Sequence, residues 1–494
     1  MFRYIIKRLL IFVPTIFVIS LLTFIISINT PGDPVDSIIS RENPGQSGSM
    51  GSASSTTLHK EIRKELGLDL PVFYFSISNA TYCDTLYRVP LHSHRATLER
   101  LSFEYGDWES VSKYYSSLKS LSKELEKTPT TSKNALSLKA AKKACYQLLE
   151  IHREDEISAT LSGLQTRVQS EFFSQQTRKL TRESATAFDW LSKNKTTYKR
   201  YLPQLNFYGL KNQYHVWMFG DVPWFSQPDP QQNYRSSGFL RGDFGRSYYS
   251  NRPVSSVIWE ALTLTFSLSI IAIIMTYIIA IPIGVRTAIK KGTLKERITS
   301  TGLFMLYSMP NFWVGTLLII FLCDPDYLNL FPSAYSLMTV SEDAPFYVRW
   351  GEMAHYLVLP LICWTYPSLA YLSRQMRGGM LDVLKHDYIQ TARAKGLSER
   401  KVVWKHAFKN ALIPVITLFA SVFPLAISGS IVIELIFSIP GMGKISLDAL
   451  LQRDYPIVFT VMMFTAILTL IGTLIADILY AVVDPRIQFN RKQS

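Results

Sequence analysis

Apolar positions along this chain fall into two different rhythms. In the first, charge almost vanishes over lengths that span a bilayer: residues 9–28, then about 258–286, 302–323, 355–373, 411–433 and 457–483. Runs of this length predict membrane-crossing helices, six in all. In the second rhythm apolar residues recur at three- and four-residue steps between charged ones. Leu98, Leu101, Tyr105, Trp108, Val111, Tyr115, Leu118, Leu121 and Leu125 follow it, and Leu148, His152, Leu161, Leu164, Val168 and Phe172 resume it after Pro129. That spacing predicts two or three antiparallel amphipathic helices closing on one apolar seam. The stretch from Tyr198 to Trp224 has no clear period and reads as irregular, and the Ser/Gly-rich residues 40–57 read as a flexible loop.

Composition agrees with a mixture of membrane and water. The 494 residues are 48% hydrophobic with a mean hydropathy of +0.11, too apolar for an ordinary soluble chain and too polar for one wholly in lipid. The net charge of +14 does not by itself indicate nucleic acid, because much of it lies in short loops beside apolar spans. Residues 287–301 hold four basic residues against Glu296, and 374–410 hold nine against three acids. Residues 324–354 hold five acids against Arg349. Positive loops stay in the cytosol, so the 287–301 and 374–410 loops and both termini are expected inside, and residues 79–238 outside. Those residues carry 22 Lys and Arg against 16 Asp and Glu, which a solvated helical surface accommodates.

Arg3, Lys7 and Arg8 precede the first apolar run, but no small-residue cleavage site follows it. An uncleaved first transmembrane helix with its N-terminus inside is expected. The four cysteines show no metal or redox spacing, and Cys83 and Cys145 could pair only in an oxidising compartment. Gly441-Met-Gly-Lys-Ile-Ser446 superficially suggests a phosphate loop, yet Ser438 stands where the first glycine would have to be. No nucleophile–base set, paired acid or metal spacing emerges, so neither catalytic nor metal residues are assigned. His92 and His94 flank one serine, near no carboxylate pair. Asp477 lies near a membrane rim and reads as a capping or interhelical hydrogen bond. Glu434 ends the fifth span at the outer face, where it would meet a cationic peptide terminus or a neighbouring subunit. Pro310, Pro360, Pro367, Pro414 and Pro424 interrupt spans, where kinks or simple packing tolerance explain them.

The most specific stretch runs from Asp387 to Pro414. Gly396 suits a helix C-terminus and Ser398 the N-cap of a second helix. Tyr388, Ile389, Ala392 and Ala394 read as the packing face of the first helix. The wording Thr391-Ala-Arg-Ala-Lys-Gly-Leu397, followed by Asn410-Ala-Leu-Ile-Pro414, resembles the cytoplasmic coupling loop of ABC-importer permeases of the dipeptide/oligopeptide/nickel branch. Of that family's general Glu-Ala-Ala motif only the last Ala is kept, because Gln390 and Thr391 replace the first two residues. Gly242-Asp243-Phe-Gly245-Arg-Ser247, the string Gly429 to Gly443 with Glu434, Pro440 and Gly441, Arg453-Asp-Tyr-Pro456, and Asp484-Pro485-Arg486 fit the same branch.

The resemblance implies an all-α membrane protein with six transmembrane helices of the type I importer kind, in the bacterial inner membrane. Its segments would be 1–30 (cytosolic N-terminus and first helix), 31–78 (linker), 79–238 (helical extracytoplasmic insertion) and 239–494 (five-helix permease core). It also implies a second permease subunit, two cytosolic ATPase subunits, an extracytoplasmic solute-binding protein and membrane lipid as partners. No nucleic acid is implied, and no cofactor on this chain, since ATP would bind the partner subunits. Docking to the ATPases would use Asp387, Ala392, Arg393, Ala394, Lys395, Gly396, Arg400 and Lys401, with basic side chains supplying charge and Ala392 and Gly396 supplying close approach. The competing expectations are an anchored adaptor whose insertion binds a partner, and a channel or ion-coupled carrier. The cargo is left open among dipeptide, oligopeptide, antimicrobial peptide and nickel chelate.

Overall fold

The computed structural model describes residues 2–29, 32–42, 53–130, 134–225, 234–333, 345–412, 415 and 429–483. Nearly all of the expected fifth span, together with Pro414, Pro424, Asp484, Pro485 and Arg486, lies outside them. The chain divides into two compact units, Pro31–Phe244 and Met1–Thr30 with Gly245–Ser494.

The Pro31–Phe244 unit is largely helical. Helices α2 (Pro34–Glu42) and α3 (Ala53–Glu65) come first, so part of the stretch expected as loop is helix. Arg63 donates to Asp33 at 2.6 Å, with both side chains buried. Five further helices follow: α4 (His92–Tyr105), α5 (Trp108–Lys127), α6 (Ala135–Leu148), α7 (Glu154–Val168) and α8 (Gln175–Lys193). They are more numerous than the two or three expected because Gly106 and the residues around Pro129, Arg153 and Ser174 cut the periodic run. Gly106 ends α4 at φ +79°, and a Cβ there would fall 2.2 Å from the Thr196 carbonyl oxygen, so only glycine fits. Asp107 and Ser174 cap α5 and α8 by accepting from Ser110 N and Thr177 N. One core joins all five helices through Leu98, Leu101, Tyr105, Leu118, Leu121, Leu125, Leu148, Leu161 and Phe188.

The stretch expected to be irregular contains a strand and a helix. β2 (Pro203–Phe207) pairs antiparallel with β1 (Phe75–Asn79), Phe75 opposite Phe207 and Asn79 opposite Pro203, and α9 (Gln213–Phe219) follows. Cys83 and Cys145 are both buried and both free. Cys83 lies 3.0 Å from the Thr85 hydroxyl, and Cys145 donates to the Leu118 carbonyl at 3.7 Å. They do not form a disulfide.

In the second unit, four helices among the described residues are long and apolar enough to cross a membrane: Tyr4–Ile28, Val254–Ile289, Phe346–Val383 and Tyr455–Ile475. They lie in α1 (Phe2–Ile28), α10 (Val254–Ile289), α13 (Phe346–Val383) and the terminal helix Tyr455–Val483. The 302–323 run is not one straight span. It is divided between α11 (Leu294–Ser308) and α12 (Asn311–Cys323), which meet at 95°. Pro310 has no N–H and no place inside a helix at this point. Met309 instead takes an extended conformation, and its carbonyl accepts from Tyr366 Oη at 2.8 Å.

Candidate functional site

The Asp387–Ala411 stretch folds as α14 (Asp387–Ala394), a short α15 (Glu399–Lys401), a π-helical segment Val402–Ala407 and α16 (Phe408–Ala411). Gly396 sits at φ +77° with no atom within 4 Å of where a Cβ would be. Its role inside the chain is therefore conformational, and its N–H closes the turn on Arg393 O at 2.9 Å. Ser398 occupies the N-cap position, but its side chain makes no capping bond. Its carbonyl accepts from Val402 N at 3.0 Å. The expected regular second helix contains the π segment, a form that often marks functional positions in helices.

Ile389, Ala392, Val402, Val403, Ala407 and Ala411 are buried together with Ala280, Val285 and Ala288 of α10 and Met376, Met380 and Val383 of α13. Any displacement of this element is thereby passed to the ends of two long helices. The expected division of labour changes in three respects. Ala392 is buried within the chain itself, so its small size serves internal packing. Tyr388 and Ala394 belong to the exposed face, not the packing face. Arg393 is held by Glu399 at 2.7 Å, so its charge is largely balanced locally. Asp387, Lys395, Arg400 and Lys401 are exposed. Beside them stand two large aromatics that charge-based reasoning passed over, Tyr388 (43% exposed) and Trp404 (46%). Asn410 donates to Tyr388 Oη at 2.7 Å, which ties the start of the element to its end.

The remaining motifs form buried polar knots. Asp454 lies next to the left-handed Arg453 (φ +59°) that ends the helix Met442–Gln452. Its carboxylate accepts from the Ser247 hydroxyl, from Tyr248 N at 3.1 Å and from Tyr249 N at 3.3 Å. Burial pushes its pKa up, against the lowering effect of those bonds. Two motifs more than two hundred residues apart in sequence thus meet in one hydrogen-bonded cluster. Gly245 belongs to the same place, with its Cβ position 4.0 Å from Pro456. Gly242 and Asp243 lie in the other unit. Gly242 closes a short 3₁₀ turn at φ +80°, and Asp243 accepts from Ser237 N at 2.8 Å.

Glu434 is not presented at a surface. It is fully buried, accepting from Thr265 Oγ1 of α10 at 3.0 Å and from Lys444 N at 2.9 Å. Thr265 in turn accepts from Met442 N at 2.9 Å. A Cβ at Gly441 would lie 2.6 Å from Glu434 Cδ, one at Gly429 2.5 Å from Oε1 and one at Gly443 2.8 Å from Ile431 N. The glycines of this string leave room for one carboxylate, and Pro440 packs half-buried beside them. Asp477 makes the interhelical contact expected of it: Tyr4 Oη donates to it at 2.8 Å, and Arg8 Nη2 stands 2.8 Å away. Arg377 pairs with Glu296 at 2.8 Å. A hydrogen bond from Ser300, together with Arg377, holds the Glu296 carboxyl below its ordinary range. The pair borders a cleft of about 540 Å³ among α10, α11 and α13, lined by Thr287, Phe304, Tyr307, Ser373, Arg374 and Arg377. Among the described residues no group of His, Cys, Asp and Glu is placed to hold a metal.

Residues 280–489 match the family described as the binding-protein-dependent transport system inner membrane component. The oligopeptide transport system permease protein AppB of Bacillus subtilis (strain 168) is 41% identical over 252 residues, 51% of this chain and 77% of that protein. The chain belongs to this permease family. Two further members are similar over 51% of this chain and 70% of their own length. They are the inner membrane ABC transporter permease protein YejB of Escherichia coli O157:H7, at 31% identity, and the peptidoglycan transport system permease protein YejB of Agrobacterium fabrum, at 34%. Among solved structures, an amino acid ABC transporter aligns over 46% of this chain and 94% of its own, with 14% identity and a TM-score of 0.33. The family is one of transport components rather than of catalysts, and its members are multi-pass proteins of the inner membrane. Its matched residues contain the α14–α16 element and Glu434 with the glycines around it, whereas Thr265 and α2 to α9 lie outside them.

Proposed function

We propose that this chain is a membrane-spanning permease subunit of an ATP-driven importer whose cargo is a peptide or contains one. Six spans, the fifth in residues 411–433, form the translocation path together with a second permease subunit. Two cytosolic ATPases dock on the α14–α16 element, and an external binding protein delivers the cargo. Both termini lie in the cytosol and residues 79–238 outside, where they cap the outer mouth or meet the binding protein. The observation that carries the reading is the packing of α14–α16 on the C-terminal ends of α10 and α13, with Lys395, Arg400, Lys401, Tyr388 and Trp404 left outward. Closure of the ATPase pair on that face would move two spans at once, a two-state change biased by a nucleotide this chain does not hold.

The test is chemical and functional. In sealed inverted vesicles a membrane-impermeant thiol reagent should label Lys395→Cys and spare Lys113→Cys. Chain purified from native membranes should retain an ATPase, and Trp404→Glu should lower the retained amount while leaving membrane insertion intact. Labelling of Lys395→Cys from the external side only, or ATP hydrolysis by the isolated chain, defeats the reading.

A further inference from the structure

The antiparallel ribbon of β1 and β2 is built inside out. Its register puts Phe75, Ile77, Leu205 and Phe207 on one face and Ser76, Ser78, Gln204 and Asn206 on the other. A ribbon resting on a core in water turns its apolar face inward and its polar face to the solvent. Here the apolar face is the outer one: Phe75 is 41% exposed, Ile77 76%, Leu205 51% and Phe207 75%. Leu202 and Leu210, also exposed, continue it beyond the ends of β2. The polar face gains little from its inward position. Ser76 Oγ lies 2.9 Å from Tyr208 Oη, but Ser78 Oγ and Asn206 Nδ2 are buried without a hydrogen-bond partner among the described residues. An arrangement unfavourable in water on both faces points to an outer face that does not meet water.

Size, connection and chemistry select what that face meets. A stable protein interface takes about 20–30 residues on each side, far more than the ribbon's outer face supplies. So few side chains are enough only for a surface already held close, where association is in effect intramolecular. The unit has such a surface. Residues 29 and 30 alone separate it from α1, and residues 245–253 separate it from α10, and both helices are long and apolar enough to cross a membrane. A bilayer is therefore within reach of this unit at both of its ends. Residues 72–82 and 201–210 hold no charged side chain, although 18% of the chain is charged, so the face makes no demand for a partner's charge. Tyr201, exposed at the start of β2, is of a type favoured at lipid interfaces. We propose that the β1–β2 ribbon seats its apolar face in the interfacial layer of the bilayer that α1 and α10 cross, as an uncharged lipid anchor. The inference rests on the chain's membership of a membrane family and not on the transport reading.

The experiment uses the full chain in phosphatidylcholine nanodiscs, with an NBD dye attached in turn to Ile77→Cys, Leu205→Cys and Gln204→Cys. All three positions are exposed and the four native cysteines are buried, so each label reports one site and the fold should stand. Nitroxide-bearing phosphatidylcholine should quench the dye at Ile77→Cys and Leu205→Cys several-fold more than at Gln204→Cys, and iodide in the buffer should do the reverse. Neighbours on β2 would then report opposite surroundings, the period of two expected of a strand lying on lipid. The contrast should persist when salt or phosphatidylglycerol is added, because the face carries no charge. Equal quenching on the two faces overturns the proposal, and Leu205→Cys repeats the measurement from the second strand should the change at Ile77 disturb the first. Protection of the apolar face from both quenchers also overturns it, since a protein partner or a second copy would then cover the ribbon. So does a contrast seen only with phosphatidylglycerol, the mark of electrostatic adsorption.

Discussion

In the Pro31–Phe244 unit the large aliphatic residues of α5 point inward, with Leu118, Leu121 and Leu125 essentially buried. In the unit built on α1 and Gly245–Ser494 the same kinds of side chain point outward: Leu10 is 68% exposed and Ile278 67%. Beside larger buried residues such as Leu268, Leu359 and Met376, that unit buries a series of small or polar ones, Thr265, Ser269, Ala272, Thr276, Ala280 and Ser373, on α10 and α13. In water, apolar area is driven together and leucines do the joining. In lipid a leucine gains nothing by leaving its surroundings, so helices join where small residues let backbones approach and hydroxyls can bond across the gap. Gly284 illustrates the second rule, because a Cβ there would lie 2.6 Å from Met376 Cβ and 2.7 Å from the Ser373 carbonyl oxygen. Ser373 Oγ in turn donates to the Ala280 carbonyl at 3.2 Å. Within one chain the small buried positions of α10 and α13 and the buried leucines of α5 follow these two rules side by side.

Substitutions that respect or violate this sorting should differ in size. Leu121→Ala opens a cavity in the aqueous core and should cost about 2–5 kcal/mol, read as faster hydrogen exchange across α5–α8 in the intact chain. Next comes a titration. His94 is buried with Nδ1 3.1 Å from Tyr115 Oη, and burial lowers its pKa to about 4. Because the unfolded chain takes up that proton near its ordinary pKa of 6.5, stability falls as pH drops from there toward 4. The loss should be on the order of 2–3 kcal/mol by the lower end. His94→Gln should flatten the exchange-derived pH profile of the α4–α5 amides, and an unchanged profile would remove His94 as its cause. Gly284→Ala should cost about 1–3 kcal/mol through overpacking of α10 against α13, lowering the melting temperature of the solubilised chain. Leu10→Ala, on a lipid-facing position of α1, should stay within about 0.5 kcal/mol. If Leu10→Ala instead proved as damaging as Leu121→Ala, the outward leucines would be covering another protein surface and the contrast would fail.

The helical face of α4 and α5 is legible in the sequence because its signal is local. Leu98, Leu101, Leu118, Leu121 and Leu125 recur every three or four residues, and the structure buries all of them. The strand Pro203–Phe207 is not legible in this way. Its partner Phe75–Asn79 lies more than a hundred residues earlier, so no short turn announces the pairing. The turn at Gly396 can be read from one residue, but the π segment after it cannot, since an α-helix would use the same side chains. Glu434 reads as a surface residue in the sequence because a carboxylate ending an apolar run looks solvent-bound, and the structure buries it. What compensates it is Thr265, 169 positions away, and a set of glycines whose meaning lies in the space they leave. The bend within 302–323 had its signal in Pro310, which a count of apolar residues over the run ignores.

That bend has a consequence for how the bundle can move. Where a helix is cut inside lipid, the stranded carbonyl has no water to turn to, and here one phenol of α13 serves Met309. Tyr366 therefore acts as a catch on an elbow. While it holds, α11 and α12 keep their angle, and anything that draws α13 aside must first find that oxygen another donor.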